Sequence, residues 1–203
     1  MKLYELIIDE QNEFFGVDAM SLVSNPAIQS DFIALGDEKR TLLAEVSSDK
    51  QILMGAALIP NKPIFRKGKE EDFYVFFSEE TIAKTAEVFF KKSNQNNATL
   101  EHDIALEGMT IFESWIVDNP EMDKSKQYGL DVPKGTWMVS MKVDDKNIWD
   151  NYVKNDKVFG FSIEGHFANV LRKDTDNTNL SDQHVDKALE DVRDLLINHF
   201  NEW

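Results

Sequence analysis

Apolar positions fall first into short runs. Residues 3–8 read Leu-Tyr-Glu-Leu-Ile-Ile, rich in β-formers, and predict a strand. Residues 16–23 and 31–35 predict two more, separated by the turn signal Asn25-Pro26. Residues 51–59 are almost continuously apolar and stop at Pro60, as a buried strand does. A dense β-type run occupies 73–77, and 110–117 and 136–143 alternate as strands do. A further strand, 158–167, surrounds Ser162.

Helical spacing appears elsewhere. Ser78 offers an N-cap hydroxyl, Glu79 and Glu80 suit the positive end of a helix dipole, and Lys91 and Lys92 suit the other end. Ile82, Ala86, Phe89 and Phe90 supply the apolar face between them. Residues 145–154 predict a short helix carrying Ile148, Trp149 and Val153. Near the C-terminus Val185, Leu189, Val192, Leu196 and Phe200 recur at amphipathic-helix spacing. The polar stretch 173–180 reads as a linker, which divides the chain into a domain over 1–172, the linker, and a helix over 181–203. The long polar connection 118–135 holds Pro120, Gly129, Pro133 and Gly135; loops of that length often serve binding, so it is expected to flank a substrate cleft. The pattern as a whole predicts a β-rich α+β domain followed by a C-terminal amphipathic helix.

Composition narrows the function. With 203 residues, 42% hydrophobic, the chain can bury one sizeable core. Its net charge of -15 would repel phosphate backbones and anionic bilayers, so neither nucleic acid nor a membrane is an expected partner. The absence of cysteine removes disulfides, thiol catalysis and cysteine-ligated zinc. No run approaches the ~18 apolar residues of a bilayer span, and the first residues lack a signal-peptide core. The expectation is a soluble, intracellular protein.

Candidate chemistry concentrates at two places. Of the four histidines, His184 and His199 fall on the terminal helix and read as surface or interface residues. His102, in Leu100-Glu101-His102-Asp103, stands at a strand end, where side chains have rigid support. Asp103 beside it favours a protonated ring. A hydrogen-bonded structural histidine is the plainer reading. Ser162 lies in Gly160-Phe161-Ser162-Ile163-Glu164-Gly165-His166-Phe167. Strand alternation puts Ser162, Glu164 and His166 on one face and Phe161, Ile163 and Phe167 on the other. Gly160 and Gly165 would admit another backbone or a ligand. The segment is no nucleophile elbow, because Glu164 stands where the second glycine is required. An ordinary half-exposed strand with a polar face is again the plainer reading.

Metal ligation is a weaker option. His102 with Asp103, or Glu164 with His166, could supply ligands, but no His-Glu-x-x-His spacing occurs. No phosphate-binding glycine loop is present, and the basic stretch 62–69 reads as a solvated loop. No cofactor or metal is expected.

Four stretches carry a family resemblance. They are Gly16-Val17-Asp18-Ala19-Met20-Ser21-Leu22-Val23-Ser24-Asn25-Pro26-Ala27-Ile28; Gly55-Ala56-Ala57-Leu58-Ile59-Pro60-Asn61-Lys62-Pro63-Ile64, leading to Tyr74–Ser78; Glu101-His102-Asp103 with Glu113-Ser114-Trp115-Ile116-Val117; and Asp123–Lys126, Tyr128-Gly129-Leu130 and Pro133–Met138 through to Gly160–Gly165. With them the chain resembles the XkdF-like serine protease domain of tailed phages, a relative of the prohead maturation proteases and the herpesvirus assembly protease.

The resemblance implies a distorted β-barrel flanked by helices, with a histidine and a serine on neighbouring strands. Here those are His102, as base, and Ser162, as nucleophile. A third member stays open among Glu113, which as a neighbouring-strand carboxylate is the preferred one, and His166, His184 and Asp103. It also implies a serine endopeptidase that cuts scaffold and major-capsid-protein precursor, often itself as well, inside the immature capsid in the host cytoplasm. Self-association is a further option. A catalytically inactive assembly or scaffold-associated protein is the alternative, and a metal hydrolase using His102 and Glu113 a third.

Overall fold

The structure is a computed structural model that describes residues 2–8, 15–28, 33–35, 50–69 and 71–171. The chain divides into two compact units, Met1–Val170 and Leu171–Trp203. The expected linker at 173–180 and helix at 181–203 lie outside the described residues.

The described residues are β-rich with few helices. One four-stranded sheet has the order β12 (Ala168–Leu171), β1 (Lys2–Ile7), β6 (Phe73–Phe76), β5 (Ile64–Arg66). A second runs β3 (Ile33–Leu35), β4 (Ile52–Leu58), β10 (Trp137–Val143), β9 (Met109–Ile116). The third runs β11 (Gly160–His166), β2 (Gly16–Val23), β7 (Ala98–Leu100), β8 (Ile104–Leu106).

Burial explains the sequence patterns. Leu53 to Leu58 of β4 are all buried, and so is every residue of β10 except Lys142. These two are the inner strands of their sheet, covered on both faces, and therefore read as continuous apolar runs. Their edge neighbour β9 buries Met109 and Ile111 but leaves Phe112 exposed, which gives the alternation.

Helix α1 (Glu79–Lys91) starts as its sequence predicts: the Ser78 hydroxyl accepts the Thr81 N–H at 3.3 Å. It buries Ile82, Thr85, Ala86 and Phe89. Phe89 meets Trp137 of β10 edge-on, ring centroids 5.5 Å apart, a contact worth about 0.5–1.5 kcal/mol beyond burial. The expected helix at 145–154 is a short helical turn, Lys146–Ile148, continuing into a π-helical turn, Trp149–Val153.

The resemblance led to the expectation of a barrel. Among the described residues the backbone ladders leave three open sheets and no closed barrel. Strand β11 pairs with β2 alone. It also packs near β4, without a ladder between them. A cavity of about 220 Å³ occupies that seam, lined by Ala57 and Leu58 of β4 and by Phe161, Ser162 and Ile163 of β11.

Candidate active site

The third sheet assembles the site by register. Ser162 of β11 stands opposite Ser21 of β2, and Ser21 stands opposite Thr99 of β7. Directly opposed residues share a face, so three hydroxyl side chains form one row. Glu164 follows Ser162 by two positions on the same face, about 7 Å along the strand. Its Oε1 accepts a hydrogen bond from the Thr99 hydroxyl.

His102 sits in the turn joining β7 to β8. The Asp103 N–H bonds the Leu100 carbonyl at 3.1 Å, and both residues between are left-handed: Glu101 with φ 52 and His102 with φ 60. That backbone belongs to a type I′ turn, where Asn-Gly is usual, and each such non-glycine residue stores about 1–3 kcal/mol. Three bonds tie the turn to β2 and its end. The Glu101 N–H donates to the Leu22 carbonyl at 2.9 Å, the Ser24 N–H to Glu101 Oε1 at 2.7 Å, and the His102 N–H to Ser21 Oγ at 3.0 Å. A glutamate and a histidine, rather than a glycine, are thereby held in the strained turn.

The outcome is that His102 Nδ1 lies 3.1 Å from Glu164 Oε1. The two side chains are 43% and 29% exposed, so a substrate can reach the pair. A carboxylate acceptor at Nδ1 suits the tautomer with its proton there, in which Nε2 is the ring's acceptor. The Ser162 side chain is half-buried. Among the described residues no hydrogen bond joins it to His102; the imidazole bonds the residue two positions further along the same strand face.

Glu113, the preferred third member, is placed elsewhere. It lies on β9, in the second sheet, opposite Ser140 of β10. The Ser140 hydroxyl donates to its Oε2 at 2.6 Å and Lys124 Nζ at 2.5 Å. These bonds, that of Lys124 foremost, hold the Glu113 carboxyl below the usual range. Its bonding partners are thus set by the β9–β10 register, which supplies Ser140, and by the 118–135 connection, which supplies Lys124, and His102 is not one of them. Of the other options, Asp103 is exposed in the turn, His166 is exposed at the end of β11, and His184 lies outside the described residues.

The 118–135 connection is folded onto β9. Trp115 Nε1 donates to both Asp123 oxygens, at 3.2 and 3.1 Å, and Asp123 caps a short helix, α2 (Lys124–Gln127), by accepting the Ser125 N–H at 2.8 Å. These bonds join it to the second sheet, not to β11 or to the turn that carries His102. Among the described residues no group of three His, Asp or Glu side chains is placed to hold a metal ion.

Glu164, Thr99 and Ser21 are the members that motif reasoning passed over. Glu164 had a usable signal, since strand alternation already put it on the face of Ser162. Thr99 and Ser21 had none, because their places depend on pairing between distant strands.

A hydroxyl, an imidazole and a carboxylate on one sheet face are the groups that nucleophilic acyl transfer draws upon. The model of the family described as "Putative phage serine protease XkdF" matches residues 39–171, and the chain belongs to that family. The matched span contains His102, Ser162 and Glu164, while Ser21 precedes it. Neither the curated proteins nor the solved structures contain a match to the chain.

Proposed function

We propose that the protein is a serine endopeptidase of phage assembly, with Ser162 as nucleophile, His102 as base and Glu164 as the carboxylate that orients His102. The contact of His102 Nδ1 with Glu164 Oε1, at 3.1 Å on the face that bears Ser162, carries this reading. Nε2 takes the proton from Ser162 Oγ as the oxygen attacks a peptide carbonyl; the resulting imidazolium returns it to the leaving amine. Glu164 keeps the ring in the tautomer that can accept, and steadies its charge once formed. Closure requires a shift of the imidazole toward Ser162 when substrate binds, in keeping with the loosened hydrogen bonds of substrate-free sites. The substrates in this reading are the scaffold and the major capsid protein precursor, with self-cleavage, inside the immature capsid.

One observation favours a second reading. Ser162 and His102 are not hydrogen-bonded, as in an assembly protein that keeps the fold without the chemistry. Co-expression with the capsid precursor, wild type against Ser162→Ala, separates the two by intact mass. The protease reading expects precursor fragments with wild type and none with Ser162→Ala. Equal cleavage by both variants overturns the nucleophile; intact precursor with both favours the inactive protein.

A further inference from the structure

The cavity at the seam between β11 and β4 has a chemistry that the catalytic residues do not use. Most of the side chains around it are apolar, its open surface is as polar as it is apolar, and Ser162 and Arg66 both line it. Its volume of about 220 Å³ is several times the ~30 Å³ share of one water. It falls short of the ~300 Å³ at which pockets for whole small molecules begin. A single amino-acid side chain is the natural occupant.

Arg66 sets the charge of that occupant. It ends β5, and among the described residues its guanidinium bonds, through Nη1, the neighbouring Phe65 carbonyl at 3.0 Å. A guanidinium has five N–H donors, so most of its capacity is open. Among the described residues no carboxylate lines the cavity and none pairs with Arg66. Lys124, Lys126 and Lys134, by contrast, all have carboxylate partners. Burial lowers the pKa of Arg66 and also of Lys62, four positions earlier. Lys62 precedes β5 and Lys67 and Lys69 follow it, ahead of the acidic run Glu70-Glu71-Asp72.

We propose that this cavity is a specificity pocket that takes an acidic side chain, best a glutamate, from the residue whose carbonyl Ser162 attacks. The apolar walls would pack the methylene stem, and Arg66 would receive the carboxylate through paired N–H donors. This inference rests on the reading of Ser162 as nucleophile.

The test uses internally quenched octapeptides of Ala and Val that differ only in Glu, Gln or Lys before the bond to be cut. Wild type is expected to prefer Glu over Gln by about tenfold in kcat/KM, with Lys poorest. Arg66→Gln is expected to abolish the Glu preference and Arg66→Glu to shift it toward Lys. The same peptides are titrated calorimetrically into full-length Ser162→Ala protein, with and without Arg66→Gln. Cleavage without Glu preference, or a preference indifferent to Arg66, overturns the pocket and leaves the protease standing. Binding of the Glu peptide that depends on Arg66, without cleavage by wild type, retains the pocket and overturns the protease. Neither cleavage nor Arg66-dependent binding overturns both.

Discussion

Gly165 gives a prediction whose size follows from distances. A Cβ built there would stand 2.0 Å from the Gly16 carbonyl oxygen and 2.8 Å from Val17 Cα. Both obstacles are backbone of the paired strand β2, so no rotamer change relieves them. The ladder shifts register between Glu164 and Gly165, so Gly165 sits at an irregular step. About 1 Å of separation is needed to restore even a 3.0 Å contact. Overpacking of this kind costs about 1–3 kcal/mol, against which alanine recovers ~0.4–1 kcal/mol of unfolded-chain entropy. Gly165→Ala should therefore lose about 1–2 kcal/mol. With a urea m-value of ~2 kcal/mol/M, the unfolding midpoint falls by about 0.5–1 M. Urea titration followed by circular dichroism measures it. An unchanged or higher midpoint would refute the close approach of β11 and β2 at this position, and with it the alignment that presents Glu164 to His102.

Two other outcomes are expected besides those given for Ser162 and Arg66. Glu164→Gln should lower kcat of precursor cleavage by about 10²-fold or more with little change in KM, whereas Glu113→Gln should leave kcat within about twofold; the opposite ranking would return the orienting role to Glu113. Acid should release the 118–135 segment: hydrogen bonds from Lys124 and Ser140 lower the Glu113 pKa from 4.5, and although burial opposes it, the Ser125 N–H and the Trp115 indole lower that of Asp123 from 3.8. Because both folded values are depressed, the stabilisation is complete above the unfolded values and disappears as pH falls through the folded ones. The Trp115 fluorescence, isolated by subtracting a Trp115→Phe variant, should change below pH 4.5, and Lys124→Ala should move that change to higher pH; an unmoved transition refutes the assigned cause.

What the sequence could show depended on the range of the interactions involved. Helix α1 was legible from Ser78 to Lys91 because its cap, its charged first turn and its Ile82–Ala86–Phe89 face are all local. The long strands were legible for the same reason. Three-residue strands such as Ile64–Arg66 and Ile104–Leu106 are too short to display a period. Glu113 attracted attention as a carboxylate on a neighbouring strand; its actual partner across the ladder is Ser140, and strand pairing is a non-local fact. The turn at Glu101-His102 was hidden too, since neither residue announces a left-handed backbone. Open sheets in place of a closed barrel likewise follow from β11 having one ladder partner, which no local pattern reveals.

Two serines face each other across the β11–β2 ladder, and their bonding separates their roles. Ser21 is fully buried; its Oγ accepts the His102 N–H at 3.0 Å and reaches the Thr99 carbonyl at 3.4 Å. A hydroxyl so engaged has its proton and one lone pair committed to the backbone, and at 0% exposure no substrate carbonyl can approach it. Ser162 is half-buried, lines a cavity, and its hydroxyl bonds nothing among the described residues. A nucleophile needs access and an uncommitted hydroxyl before it needs a base. Ser21 therefore fixes the turn that carries the imidazole, while Ser162, one strand over in the same row, is the hydroxyl left open to chemistry.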